Sequence, residues 1–215
     1  MGRLFGTDGI RGIPGEYPLD RETIRKIGEA IASFSGHQGT GRVLIGRDTR
    51  SSGPQIMEYL TDGLTTQGVD VCDLGIFTTP GVSFLTQGED VSAGIVISAS
   101  HNPCQYNGIK VFSSSGKKLS VAEEDEIEKA VHNNSPPSPA GKRGKVISDK
   151  EARQRYLTFL KSSVTPESNF AGLKIVIDCA NGATSEFAFE LFASLGAKVI
   201  PIHSSPNGKN INESC

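Results

Sequence analysis

Gly94-Ile95-Val96-Ile97-Ser98-Ala99-Ser100-His101-Asn102-Pro103-Cys104-Gln105-Tyr106-Asn107-Gly108-Ile109-Lys110-Val111-Phe112 reads as a strand, a polar loop and a second strand. Ile95, Val96 and Ile97 form a compact β-branched run after a glycine, the pattern of a buried strand. Asn102-Pro103 then forces the chain into an extended or turn conformation. Two hydroxyls, an imidazole, an amide and, past a glycine turn, a lysine therefore gather where a strand ends. Such a set of donors and one cation suits a phosphoryl group, with Ser100 as candidate nucleophile inside it. In an extended segment the neighbouring side chains of Ser100 and His101 point to opposite sides, so the pair does not make the serine–base couple of a hydrolase. Nor is there a G-x-S-x-G elbow around the serine.

Outward from this stretch the chain alternates strands and helices, which argues for a layered α/β architecture. Asp20 is placed to cap a helix whose Ile24, Ile27, Ile31 and Phe34 recur at helical spacing. Arg42 to Ile45 follows as a strand, then a helix with Ile56, Leu60 and Leu64 on one face, and a short strand at Val69-Asp70-Val71. Residues 109–112 form another strand and residues 121–131 an acidic helix. Residues 133–145 are rich in Pro, Ser, Gly and Lys without apolar period, the composition of an exposed connector. Beyond it a helix carries Tyr156, Phe159 and Leu160. Lys174 to Asp178, a helix with Phe187, Leu191 and Leu195, and a strand from Lys198 to Ile202 make one βαβ unit. A unit of that size leaves an open sheet edge, so it should be marginally stable or lie against another surface.

Charge and composition exclude several classes. Lys and Arg number 22 against 24 Asp and Glu, a net charge of −2 over 215 residues, so no global field draws the chain to nucleic acid or to an acidic membrane. No segment is long and apolar enough to span a bilayer. The 25 glycines exceed the usual share of ~7% and favour tight turns near a ligand. Cys72, Cys104, Cys179 and Cys215 show no C-x-x-C spacing, and the N-terminus has no apolar signal region. A reduced cytoplasm is the expected compartment. Asn133-Asn134-Ser135 and Asn212-Glu213-Ser214 match the glycosylation pattern by chance in that setting. Five acids among residues 123–128 read as a solvated helix face, Asp8 as the brace of a glycine-rich turn, and Cys104 as a small filler. His37, His132 and His203 lack metal-ligand spacing.

Ser-Ala-Ser-His-Asn-Pro at 98–103 with Asn107-Gly108-Ile109-Lys110 resembles the phosphoserine loop of the α-D-phosphohexomutases. Leu4-Phe5-Gly6-Thr7-Asp8-Gly9-Ile10-Arg11-Gly12 resembles that family's opening signature, and Gly46-Arg47-Asp48-Thr49-Arg50 a third segment of its first domain. Within the family, Gly116-Lys117-Lys118-Leu119 and Asp178-Cys179-Ala180-Asn181-Gly182-Ala183-Thr184 look most like the branch that isomerises glucosamine phosphates for cell-wall precursors. Tyr106 stands where that branch usually has aspartate and is closer to the mannose- and glucose-phosphate branch.

The resemblance implies an α/β/α layered first domain with a mixed sheet, expected over residues 1–145 and carrying the phosphoserine loop. It also implies the start of a similar second domain over 146–215. It covers the whole chain but under half of the family pattern, and the chain is expected to stop before a D-x-D-x-D metal loop. Ser100 then carries the transferred phosphate. Arg11 and Lys110 are expected to stabilise charge and move protons, and His101 and Asn102 to orient the loop. Arg47 and Arg50 provide a secondary anion site or a buried structural pair with Asp48. The implied cofactor is Mg2+, held by the phosphate on Ser100 and by ligands outside these residues. The implied ligands are a glucosamine phosphate and a hexosamine 1,6-bisphosphate intermediate, with a homodimer also open. Three functions follow: a mutase, a non-catalytic phosphosugar-binding fragment, or a phosphatase built on the same serine.

Overall fold

The computed structural model describes residues 3–36, 41–133, 141–165 and 169–215. His37 and residues 134–140 of the expected connector lie outside them. The first and larger unit is a six-stranded sheet in the order β1-β5-β4-β2-β3-β6. Its strands are β1 (Ile10–Gly12), β2 (Arg42–Arg47), β3 (Val71–Ile76), β4 (Val91–Ile97), β5 (Asn107–Ser113) and β6 (Val146–Ser148). β4, β2, β3 and β6 run parallel, whereas β5 pairs antiparallel with both β4 and β1, so the sheet is mixed as expected.

Side-chain alternation divides the core between the two faces of the sheet. Val43, Ile45, Ile95, Ile97, Ile109 and Val111 face α1 (Arg21–Gly36), α2 (Gly53–Thr66) and α4 (Val121–His132). Leu44, Cys72, Leu74 and Val96 face α3 (Thr79–Thr86) and α5 (Ala152–Ser162). Period-2 strands covered on both faces give the near-continuous apolar runs seen at 43–45 and 95–97. Asp20 caps α1 as expected, its Oδ1 accepting from the Thr23 amide at 3.0 Å. Ile56, Leu60 and Leu64 are fully buried, each contributing about 1.5–3 kcal/mol.

Several elements depart from the sequence expectation. The strand expected at 69–71 begins at Val71 and runs to Ile76, because the Val69 amide still closes the end of α2 on the Leu64 carbonyl at 3.2 Å. β1 is short and glycine-bounded and exists through its pairing with β5. The acidic helix is not wholly solvated: Glu124 is buried, with Arg3 at 3.6 Å and Lys118 at 3.4 Å. α3 carried a readable start signal, Thr78 as N-cap accepting from the Gly81 amide at 3.2 Å, with proline in the first turn.

Two elements beyond residue 145 pack against the first unit. β6 pairs with β3, and Tyr156 and Leu157 of α5 are buried with Phe77, Val82 and Leu85 of the first unit. Residues 146–148 thus cover the sheet edge, which needs a partner strand. The second unit pairs β7 (Lys174–Asp178) with β8 (Lys198–Ile202) in parallel, joined by a 3-10 turn (Ala183–Glu186) and α6 (Ala188–Ser194). It lies against the first unit, as its size demands. Phe187 stacks edge-on to Phe77 at 5.0 Å and to Tyr156 at 5.6 Å between centroids. No described helix is long and apolar enough to cross a membrane.

Candidate functional site

Parallel strands end together, so the segments after β2, β3 and β4 converge at one edge of the sheet. Ligands of open α/β sheets bind outside the carboxyl ends of such strands. Helices α2 and α3 cover opposite faces, and residues 48–52, 77–79 and 98–106 meet between them. Antiparallel β4 and β5 hold the two ends of residues 98–106 in register, Ile97 opposite Ile109.

Arg50 shapes that loop from inside. It is 1% exposed. Its five N–H groups donate to Asp48 Oδ2 at 2.9 Å and to the carbonyls of Pro103 (2.6 Å), Tyr106 (3.0 Å), Ser100 (3.0 Å) and Asn102 (2.9 Å). No donor of Arg50 is left for a phosphate, and of the two roles expected for it the structural one describes its contacts. Asn107, fully buried, ties the far end of the loop, its Nδ2 donating to Ser52 Oγ at 2.9 Å and its Oδ1 accepting from the Gly108 amide at 2.8 Å.

Ser100 sits exposed at the turn, with φ 58° and its amide on Ser98 Oγ at 3.0 Å. The segment expected to be extended here turns through the left-handed region, so the alternation argument about Ser100 and His101 loses its premise. The His101 side chain is exposed, and no described hydrogen bond joins the Ser100 hydroxyl to an imidazole.

Arg11 enters from β1, which is opposite Gly108 in β5. A Cβ at 108 would lie 2.7 Å from the Ile10 carbonyl oxygen and 2.9 Å from that of Ser98, so the close approach of the backbones beside Arg11 requires glycine there. Arg11 donates to Asn102 Oδ1 at 3.2 Å and pairs with Asp8 Oδ2 at 3.2 Å. Lys110 Nζ lies 2.7 Å from the same Asp8 oxygen. The hydrogen bond from Lys110 holds the Asp8 carboxyl below its ordinary range, with the charges of Lys110 and Arg11 acting in the same direction against partial desolvation. Two cations on one exposed carboxylate leave a positive balance beside the loop. Asn102 links that group to the serine turn.

The structure thus brings Ser100, Asn102, Arg11, Lys110 and Arg50 to one edge. Arg47 it does not: that side chain lines a separate cleft with Arg21, Met57 and Tyr59, and a Cβ at Gly53 would come within 3.2 Å of its stem. Ser100 opens onto a cleft of about 450 Å3 between the units. Thr78, Thr79, Asp48 and Ser98 line it from the first unit, and Ala180, Ile211 and Asn212 from the second. The apolar floor, with Phe77, Tyr156 and Phe187, is the seam between units. Asn212, which sequence reasoning left without a role, donates through Nδ2 to the carbonyls of Ser100 (2.9 Å) and Asn102 (3.1 Å). Nothing local in 207–212 announces a contact with residues a hundred positions earlier.

The residues present do not by themselves fit a magnesium site. Among the described residues no cluster of three or more His, Cys, Asp or Glu side chains forms one. Asp48 is committed to Arg50 and Asp8 to Lys110 and Arg11, whereas Mg2+ requires several free hard oxygens in octahedral array. Near the cleft, burial raises the Cys179 thiol above its usual range.

A family model for phosphoglucomutase/phosphomannomutase, alpha/beta/alpha domain I, matches residues 2–138. Phosphoglucosamine mutase of Pseudomonas entomophila is 47% identical over 213 residues, covering 99% of this chain and 48% of that protein. Phosphoglucosamine mutase of Syntrophus aciditrophicus is 44% identical over 219 residues, covering 100% of this chain and 49% of that protein. The crystal structure of a phosphoglucomutase/phosphomannomutase family protein from Burkholderia thailandensis superposes with a TM-score of 0.84 at 28% identity, over 96% of this chain and 45% of that one. The chain spans about half the length of the curated relatives it matches. With the model matched over residues 2–138, which include the clamped serine loop, this chain belongs to the phosphoglucomutase/phosphomannomutase family, the α-D-phosphohexomutases.

Proposed function

We propose that the chain carries the phosphoserine half of a phosphoglucosamine mutase, which interconverts glucosamine 6-phosphate and glucosamine 1-phosphate. The observation that carries this reading is the exposed Ser100 hydroxyl on a loop clamped by Arg50, beside the Arg11–Asp8–Lys110 group. The name of the relatives at 44–47% identity supplies the sugar.

In the proposed reaction, a sugar hydroxyl oxygen attacks the phosphorus on Ser100. The new O–P bond forms as the P–Oγ bond breaks, and Oγ keeps the electron pair. The hydroxyl proton ends on Oγ. Of the two nearby cations only Lys110 can release and regain a proton, so it is the proposed carrier, while Arg11 remains charged beside the equatorial oxygens. The resulting 1,6-bisphosphate turns over and returns its other phosphoryl group to Ser100. Magnesium belongs to this reading through the family alone, with the phosphate on Ser100 as its one ligand here. The same reading places the chain in the reducing cytoplasm.

The test is intact mass and peptide mapping after incubation with glucosamine 1,6-bisphosphate in Mg2+ buffer. One phosphate on Ser100, lost in Ser100→Ala, is the expected result. Release of inorganic phosphate without a stable phosphoserine would indicate a phosphatase, and binding without transfer a non-catalytic phosphosugar-binding chain. Tyr106 favours a second sugar, so glucose and mannose 1,6-bisphosphates belong in the same assay. Faster transfer from either would overturn the glucosamine assignment and keep the phosphoserine.

A further inference from the structure

The carbonyls of Ser100 and Asn102 each receive two donors, one from either unit. Arg50 reaches them at 3.0 and 2.9 Å from within the first unit. Asn212 reaches the same two at 2.9 and 3.1 Å from the second. A carbonyl oxygen has two lone pairs, so both are saturated. Arg50 alone would leave one lone pair of each carbonyl without a protein donor. The second amide occupies it from the other unit, next to a serine at φ 58°, a region that residues other than glycine rarely occupy. Asn212 is itself held, its amide on the Ala180 carbonyl at 2.8 Å.

We infer that Asn212 is a positioning residue for Ser100: its side-chain amide sets the direction in which the Ser100 hydroxyl enters the cleft, and it does so only while the second unit is docked. The inference deepens the proposed phosphoserine chemistry and rests on it for its consequence in rate, though not for its geometry. Other ties between the units leave the serine turn untouched. Thr49 Oγ1 donates to the Asn181 carbonyl at 2.6 Å, and the Ser51 amide to the Gly208 carbonyl at 2.9 Å. These separate docking from positioning.

The variant to make is Asn212→Gly. Position 212 has φ 59°, where glycine is unstrained, so the change removes the amide side chain and keeps the backbone. Thr49→Val serves as the control that weakens docking and leaves the Asn212 side chain in place. Two readouts are taken on the 215-residue chain. The first is residue-resolved hydrogen exchange at the Ser100 and Asn102 amides, which bond to Ser98 Oγ and to the Ala99 carbonyl. The second is the initial rate at which Ser100 Oγ takes a phosphoryl group from glucosamine 1,6-bisphosphate. In that step the Oγ–P bond forms, the sugar O–P bond breaks, and the serine proton passes to the sugar oxygen.

Asn212→Gly is expected to speed exchange at both amides and to slow phosphorylation about tenfold, as the loss of one well-placed hydrogen-bonding group does. Thr49→Val is expected to lower the melting temperature to a similar extent and to move both readouts clearly less, because the Asn212 amide stays in place in every docked molecule. Unchanged exchange in Asn212→Gly, or equal changes in the two variants, overturns the inference. If the unmodified chain takes no phosphate, the phosphoserine reading fails, and exchange alone then decides for or against the positioning role.

Discussion

Arg50→Lys keeps a positive charge beside Asp48 but replaces a five-donor planar fork with three donors on one nitrogen. At a position 1% exposed, those donors cannot reach Asp48 and four carbonyls pointing in different directions. Breaking a buried, hydrogen-bonded charge network of this kind costs about 3–5 kcal/mol. Urea unfolding should show that loss for Arg50→Lys, and a loss under about 1 kcal/mol would mean the loop holds its shape without the arginine. Asp8 carries a prediction in pH. Its folded-state pKa is depressed, chiefly by the hydrogen bond from Lys110. The stabilisation it gives is therefore complete above the unfolded value of ~3.9 and is lost as pH falls through the lower folded value. The Asp8–Lys110–Arg11 group should thus persist unchanged across neutral pH and come apart only below about pH 4. Carboxyl carbon shifts of Asp8 should titrate with a midpoint below that of a free aspartate, moving back toward it in Lys110→Met.

At the scale of the element, α3 packs closely on the sheet because β2 and β4 each place a glycine beneath it, Gly46 and Gly94. A Cβ at Gly94 would collide with Thr86 Oγ1, and one at Gly46 would meet Val82 at 2.5 Å. Thr86 is itself fixed, its hydroxyl donating to the Val82 carbonyl at 2.7 Å. Gly94→Ala cannot be absorbed by a flexible side-chain end and must lift the helix. Overpacking of that kind costs about 1–3 kcal/mol. Its thermal unfolding should shift downward, and amides at Thr79 and Gly81 should exchange faster than those of α1, on the opposite face. Equal protection in all three places would show that the helix does not move.

The molecule as a whole depends on the seam between its units. Two parallel strands and one short helix form too small a layer to be stable alone, and Leu173, Val176 and Phe189 of the second unit are exposed. What holds it is the aromatic cluster of Phe77, Phe84, Tyr156, Phe159 and Phe187, with Phe84 and Phe159 stacked at 3.9 Å. Phe187 is 3% exposed at its centre. Phe187→Ala should cost about 3–5 kcal/mol. Limited proteolysis should then degrade the second unit ahead of the first. Cleavage spread evenly over both would mean that they unfold as one body. Because Asn212 belongs to the second unit, the same variant should also free the Ser100 turn.

The sequence by itself determined the layered α/β class, the two β-branched strands around the serine loop, the cap at Asp20 and the candidate set Ser100, Asn102, Arg11 and Lys110. Each of these is written in contiguous residues, as periodicity, turn chemistry or a short motif. The tertiary structure decided the rest. β1, β6 and the full length of β3 exist because a neighbouring strand supplies hydrogen bonds, and short or glycine-containing segments announce no such pairing. The φ of Ser100, the inward turn of Arg50, the separation of Arg47 from the site and the reach of Asn212 depend on contacts between segments far apart in the chain. A residue's type limits the bonds it can form, and only the packed chain selects which partner arrives.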